Sequence, residues 1–251
     1  PSQQEFVITF NPVAEGEYTE TFTLASTMAS PVTLTVKAVC KGEREPEPVQ
    51  GDEFNVSAEN PLYTYVQDFE SVEHNTPLKL EGWTNVAATG TRAWWGFNDS
   101  GEEPFKAAKA TAYDSEIRPG EGEPAEMMLI SPALDYAKAG TKLLEFRLMG
   151  MYLDKSQETV LEILFGEPNG TPQPDFYAMD GFEIPVESDQ AGEWIPYQVD
   201  MSVVPDMPDT FFIAFRLKST RSQAEPATYY IDDFAWNRAG TTSVDTVLQE
   251  G

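Results

Sequence analysis

Short runs in which apolar and polar residues alternate, parted by turn residues, recur along most of this chain. A period of two sends successive side chains to opposite faces of a strand. The Thr, Val, Phe and Tyr that fill the runs at 5–10, 18–26 and 32–39 favour that conformation. Turn residues at 11–16 and Ser30-Pro31 divide them, so residues 5–40 read as three strands. Three strands make about half of an immunoglobulin-like sandwich. Half a sandwich exposes an apolar face that must be covered, by the following domain or by a second copy of the chain. Self-association through this segment is therefore one expectation.

Residues 41–52 are charged, carry prolines and show no period, which is the composition of a linker. Beyond it, further strand-like runs lie at 63–70, 142–152, 159–165, 194–200, 211–218 and 228–236, with Gly, Pro, Asn and Asp between them. No amphipathic helix stands out: 106–112 is Ala-rich but short, and 132–140 has room for one turn. Strands without alternating helices predict an all-β protein, an antiparallel β-sandwich of jelly-roll type behind the partial immunoglobulin-like segment. The expected layout is a β segment at 1–41, a linker at 42–53, the jelly roll at 54–238 and a tail at 239–251. With 251 residues, 41 % of them hydrophobic, the chain can bury a full core. No apolar run approaches the roughly 20 residues that span a bilayer, so membrane insertion is not expected. Any leader is expected upstream of Pro1 or already removed.

Charge narrows the partners. Sixteen basic residues against 42 acidic ones give a formal net charge of −26. Binding a phosphate backbone needs clustered Lys and Arg, and this chain has no such cluster, so nucleic acid and anionic membrane surfaces are poor partners. Divalent cations would relieve the self-repulsion of so acidic a chain. Cys40 is the single cysteine, which rules out an intrachain disulfide.

The densest chemistry lies in Tyr229-Tyr230-Ile231-Asp232-Asp233-Phe234-Ala235-Trp236. Strict alternation puts Ile231 and Asp233 on one face, and Asp232 and Phe234 on the other. At least one acid then lies near a packed interior, where a carboxylate must be paired, hydrogen-bonded or bound to a cation. A strand end with solvated acids and a calcium ligand are both open readings.

An ordered set of motifs resembles the cleaved-adhesin and choice-of-anchor J families of Bacteroidetes surface proteins, jelly rolls of the meprin and receptor-phosphatase (MAM) type. They run Asp68-Phe69-Glu70-Ser71, Gly82-Trp83, Trp94-Trp95, Leu129-Ile130-Ser131-Pro132, Leu144-Glu145-Phe146, Glu193-Trp194, Phe212-Ile213-Ala214-Phe215 and Tyr230-Ile231-Asp232-Asp233-Phe234. The resemblance implies a secreted or outer-membrane cell-surface location and a structural calcium ion held where the first and last strands meet. Its ligands would be Asp68, Glu70, Asp232 and Asp233. The loop Asn98-Asp99-Ser100-Gly101 offers Asn98 and Asp99 as further oxygen donors, or is a simple Asx turn. It also places Trp83, Trp194 and Trp236 in the core. Residues 243–248 resemble the lead-in to a C-terminal secretion or anchoring segment.

Other constellations are weaker. His74 is the single histidine, in a polar turn without a nucleophile elbow, so a Ser-His-Asp triad is not expected. With 42 acids, candidate glycosidase pairs occur everywhere and discriminate nothing. Trp94, Trp95 and Tyr113 are candidates for a ligand-stacking surface, because adjacent strand residues face opposite ways. The expected function is non-catalytic, adhesin-like binding of an extracellular protein or glycan. The alternatives are a carbohydrate-active enzyme of sandwich fold and a structural spacer.

Overall fold

A computed structural model of the chain describes residues 16–25, 30–40, 49–99, 101, 104–113, 123–155, 158–220 and 226–238. The strand expected at 5–10 and the tail at 239–251 lie outside the described residues. The chain divides into two units, residues 1–47 and 48–251.

In the first unit β1 (Gly16–Leu24) and β2 (Val32–Cys40) pair antiparallel, with Phe22 opposite Leu34 and Leu24 opposite Val32. Alternation gathers these four on one face, while Thr19, Thr21, Thr23, Thr33 and Thr35 share the other. Phe22, Leu24, Val32 and Leu34 are all exposed.

The second unit is built from β3 (Tyr65–Gln67), β4 (Thr84–Thr89), β5 (Trp95–Asn98), β6 (Lys106–Thr111), β7 (Ala125–Ile130), β8 (Leu134–Asp135), β9 (Leu143–Met151), β10 (Thr159–Glu167), β11 (Asp175–Ala178), β12 (Ile195–Asp200), β13 (Thr210–Ser219) and β14 (Thr228–Trp236). Among the described residues these form two six-stranded antiparallel sheets. Sheet one runs β11-β10-β13-β7-β4, with β8 on β13; sheet two runs β12-β9-β14-β6-β5, with β3 on β14. Their inner faces meet in a single core. Phe215 of sheet one packs edge-on against Phe146 and Phe234 of sheet two, at ring distances of 5.3 and 6.2 Å. The fold is thus the expected all-β sandwich. Helix among the described residues is confined to three-residue 3-10 turns.

The pattern misleads at particular places. Lys106–Thr111 looks helical in composition but is a central strand, its Ala107, Ala108 and Ala110 completely buried. Small side chains suit its place between β5 and β14, and tertiary pairing overrides alanine's helix propensity. β7 carries no alternation because Met127, Met128, Leu129 and Ile130 are all buried, two to each face of a covered sheet. Within β14 the register slips between Asp232 and Ala235, and Asp233 takes φ 52°. The extra residue returns Phe234 to the core beside Tyr229 and Ile231, where strict alternation had placed it opposite Ile231.

One outer face is partly covered by the chain itself. The stretch expected as linker ends in ordered backbone: Asp52 N donates to Asn85 O at 2.6 Å, and Gln50 N to Thr91 O at 2.8 Å. Gly51 permits this approach, since a Cβ there would stand 2.5 Å from Ala87 N. Phe54 and Val56 then join Phe176 over Val86, Met128, Ile130, Leu164 and Phe212 on sheet one. Among the described residues sheet two has no such preceding segment laid over it.

Candidate functional site

The outer face of sheet two carries an open cleft of about 960 Å³. Its floor follows from strand register. Tyr230 of β14 stands between Lys109 of β6 and Met149 of β9, and Thr228 between Thr111 and Met151. Phe97 projects to this face from β5, and Trp194 stands at the entry to β12. Phe105, Tyr113 and Tyr152 complete the walls. Tyr230 is almost wholly buried and its hydroxyl is pushed up to about 12, chiefly by burial, so it stays a hydrogen-bond donor at neutral pH. Phe97 and Phe105 pack edge-on to it at 5.0 and 5.6 Å, and Phe105 meets Trp194 at 5.6 Å and 87°. The rings brace one another, so they present fixed apolar faces at little entropic cost.

The paired aspartates serve this cleft through Arg147. Register places Arg147 directly opposite Asp232. Its Nη2 and Nε both donate to Asp232 Oδ2, and its Nε also lies 3.1 Å from Asp233 Oδ2. The guanidinium, fixed from that side, sits over Trp194, with Cζ 4.7 Å from the ring centroid. Asp232 is the buried acid of the pair, its side chain 3 % exposed against 51 % for Asp233. Burial raises its pKa despite the opposing pull of Arg147. The cation beside it among the described residues is the Arg147 guanidinium.

The other residues singled out by sequence are dispersed. β3 does pair with β14, Gln67 opposite Phe234, so Asp68 and Asp233 are the next residues along the two strands. Asp68 Oδ1 accepts from Glu70 N at 3.1 Å, and Glu70 holds Lys106 at 3.3 Å. Asn98 N donates to His74 Nδ1 at 3.1 Å. Asp99 lines the cleft, and its Oδ1 accepts from Gly101 N, an Asx turn. Among the described residues no group of three or more His, Cys, Asp or Glu side chains is arranged to hold a metal ion. The six acidic and amide candidates therefore do not gather into one cage.

Of the three proposed stacking residues, Tyr113 lines the cleft and is 45 % exposed. Trp94 must be corrected: it is fully buried and packs 6.4 Å from Phe215. The cause is Asn85, a buried amide whose Oδ1 accepts from Trp94 N and whose Nδ2 donates to Trp94 O, pinning that backbone before β5 begins. Trp95 starts β5 on the outer face, but its indole is turned to Gln50 Oε1 at 2.9 Å, outside the cleft lining. Trp83 and Trp236 are core residues as expected, whereas Trp194 is only half-buried. A signal for it existed: Ile195, Tyr197 and Val199 alternate inward, which leaves Trp194 on the face opposite the core. Arg147, Lys109 and Phe105 carried no such mark.

No family model and no curated protein sequence matches the chain. Among solved structures it is similar to the K1 cleaved adhesin domain of Lys-gingipain from Porphyromonas gingivalis, at 16 % identity and a TM-score of 0.44, over 68 % of this chain and 96 % of that one. The K3 cleaved adhesin domain of the same protein gives 15 %, 0.42, 68 % and 95 %. A C-terminal family 22 carbohydrate-binding module from Clostridium thermocellum gives 13 % and 0.38, over 79 % of this chain and all of that one.

Proposed function

We propose that the second unit is a non-catalytic binding module of a secreted or surface-attached protein, and that it holds a glycan chain in the cleft on sheet two. The observation that carries this reading is the braced ring set of Trp194, Phe105, Phe97 and Tyr230 along a cleft that the described residues leave open. Sugar rings offer C–H faces to aromatic planes and hydroxyls to the polar groups between them. Asp99, Thr111, Tyr113 and Tyr152 supply those polar groups along the cleft. A binding role is favoured over glycoside hydrolysis because hydrolysis uses two carboxyl groups flanking one bond. Asp99 is the single carboxylate among the described lining residues.

Titration calorimetry against a panel of neutral and acidic oligosaccharides tests the reading. Trp194→Ala is expected to weaken the bound member about 30-fold or more, the effect of removing a central aromatic anchor. If no member binds, or if Trp194→Ala leaves affinity unchanged, the cleft is not a glycan site.

A further inference from the structure

The cleft contains a cation that no acid answers. Lys109 stands in mid-sheet, opposite Trp95 on one side and Tyr230 on the other, with Nζ 5.4 Å from the centre of the Phe97 ring. Among the described residues no carboxylate pairs with it. Several other cations of this unit are answered by an acid, Lys106 by Glu70, Lys138 by Asp135, Arg147 by Asp232, Arg216 and Lys218 by Glu162, while Lys142 rests on the Tyr136 ring at 3.9 Å, outside the cleft. With 42 acids to 16 bases, an unpaired lysine among packed rings is not explained by a shortage of carboxylates. Desolvating an ammonium without a counter-charge is unfavourable, and burial draws the pKa of Lys109 down accordingly.

We propose that the ligand supplies the missing anion: the cleft takes a glycan bearing a carboxylate, a uronic acid, whose ring stacks on the aromatic wall while its carboxylate meets Lys109 Nζ. This rests on the reading of the cleft as a glycan site and narrows it to acidic chains. Thr111 lies two residues along the same strand, and its hydroxyl already accepts from Thr228 Oγ1 at 2.9 Å. The net charge of −26 opposes any polyanion at long range. At physiological ionic strength, however, charges more than about 8 Å apart are largely screened. Contact with Lys109 then outweighs the distant acids.

The test uses oligogalacturonate, oligomannuronate and glucuronoxylan fragments, each beside its carboxyl-reduced counterpart, which keeps the backbone and loses the charge. At least one acidic member is expected to bind the full chain about tenfold or more tightly than its reduced form, the strength of one charge-assisted hydrogen bond. Lys109→Gln should abolish that preference, weakening the acidic form more than the reduced one; Lys109→Arg should retain it and covers the case in which the glutamine variant misfolds. Equal binding of every pair, or a Lys109→Gln variant that weakens both members alike, overturns the inference while leaving the glycan reading intact. Failure of acidic and neutral glycans alike overturns both. Oligoglutamate bound as tightly as the best uronate would identify an acidic peptide as the ligand instead.

Discussion

The two outer faces of the sandwich are made of the same materials and finished differently. On sheet one, Phe54, Val56 and Phe176 lie over an apolar patch. Beside it the charges are matched within the face: Arg216 and Lys218 reach Glu162 at 2.8 and 3.1 Å, and Arg216 reaches Glu126 at 3.6 Å. On sheet two the apolar floor of Ala107, Met149 and Tyr230 is ringed by half-buried aromatics along an open cleft, and no carboxylate among the described residues pairs with Lys109. A face whose apolar patch is partly covered and whose cations are paired has less apolar surface and less free charge to offer, though a depression of about 660 Å³ stays open beside Phe54, Phe176 and Arg216. An open apolar floor with an unanswered charge has both, and that difference, more than the fold, separates the binding face from the structural one.

The comparison is most strongly tested at Arg147, which belongs to both stability and site. Arg147→Met leaves Asp232 buried without its cation, and the expected loss is about 2–4 kcal/mol by urea unfolding, somewhat below a fully buried pair because the guanidinium is partly exposed. Adding Asp232→Asn should recover most of it. A loss below about 0.5 kcal/mol would show that Asp232 has another partner. Next in size is an exchange between the faces. Phe54→Ala is expected to cost about 2 kcal/mol and to leave glycan affinity unchanged. Trp194→Ala should cost only about 1 kcal/mol of stability while affinity collapses. If Phe54→Ala weakened binding as much, the division of labour between the faces would be wrong.

How much of this was legible depended on which physical signal each residue leaves. Strands with one buried face, such as β10 and β12, announce themselves by alternation. β7, buried on both faces, and the alanine-rich β6 do not, because their identity comes from neighbours distant in sequence. The Asp-Asp motif was recognisable as chemistry, and the need for a cation followed from burial. Which cation did not, since Arg147 lies 85 residues away and meets Asp232 only through register. The bulge at Asp233 was equally hidden, as one inserted residue leaves no period behind. Trp194 was readable from its strand's phase, but Lys109 becomes notable only once the absence of an acid around it is known.

Acid titration sharpens the same contrast with opposite signs. On sheet one, burial pushes Glu162 up, but the hydrogen bonds from Arg216 and Lys218 outweigh it and hold its pKa below the ordinary value. Its contribution is present above about pH 4.5 and is lost as the pH falls through the lowered value. On sheet two, burial leaves Asp232 above its ordinary value, so its contribution is full below about pH 4 and is lost as the pH rises through the raised one. Between about pH 6 and pH 3, the stability advantage of the wild type over Glu162→Gln should therefore shrink, while that over Asp232→Asn should grow. Parallel slopes in urea titrations across that range would refute the assignment of unlike environments to the two carboxylates.

Calcium is expected to give the smallest effect. An ion bound only by the folded state raises the unfolding midpoint in proportion to its affinity, and affinity depends on how many charged oxygens close around it. Asp232 is engaged by Arg147 and Glu70 by Lys106, and Asp233 meets the same Arg147 through its Oδ2, which leaves Asp68 and the exposed side of Asp233 most available where β3 meets β14. Two carboxylates completed by water make a weak site, so about 1 mM calcium should move the midpoint by less than about 2 °C relative to chelator. A rise of about 5 °C or more, abolished by Asp233→Ala, would mean that Asp68, Glu70 and Asp233 close on an ion with Lys106 displaced. The meeting point of the first and last strands would then be a structural calcium centre, and Arg147 a partner of Asp232 alone.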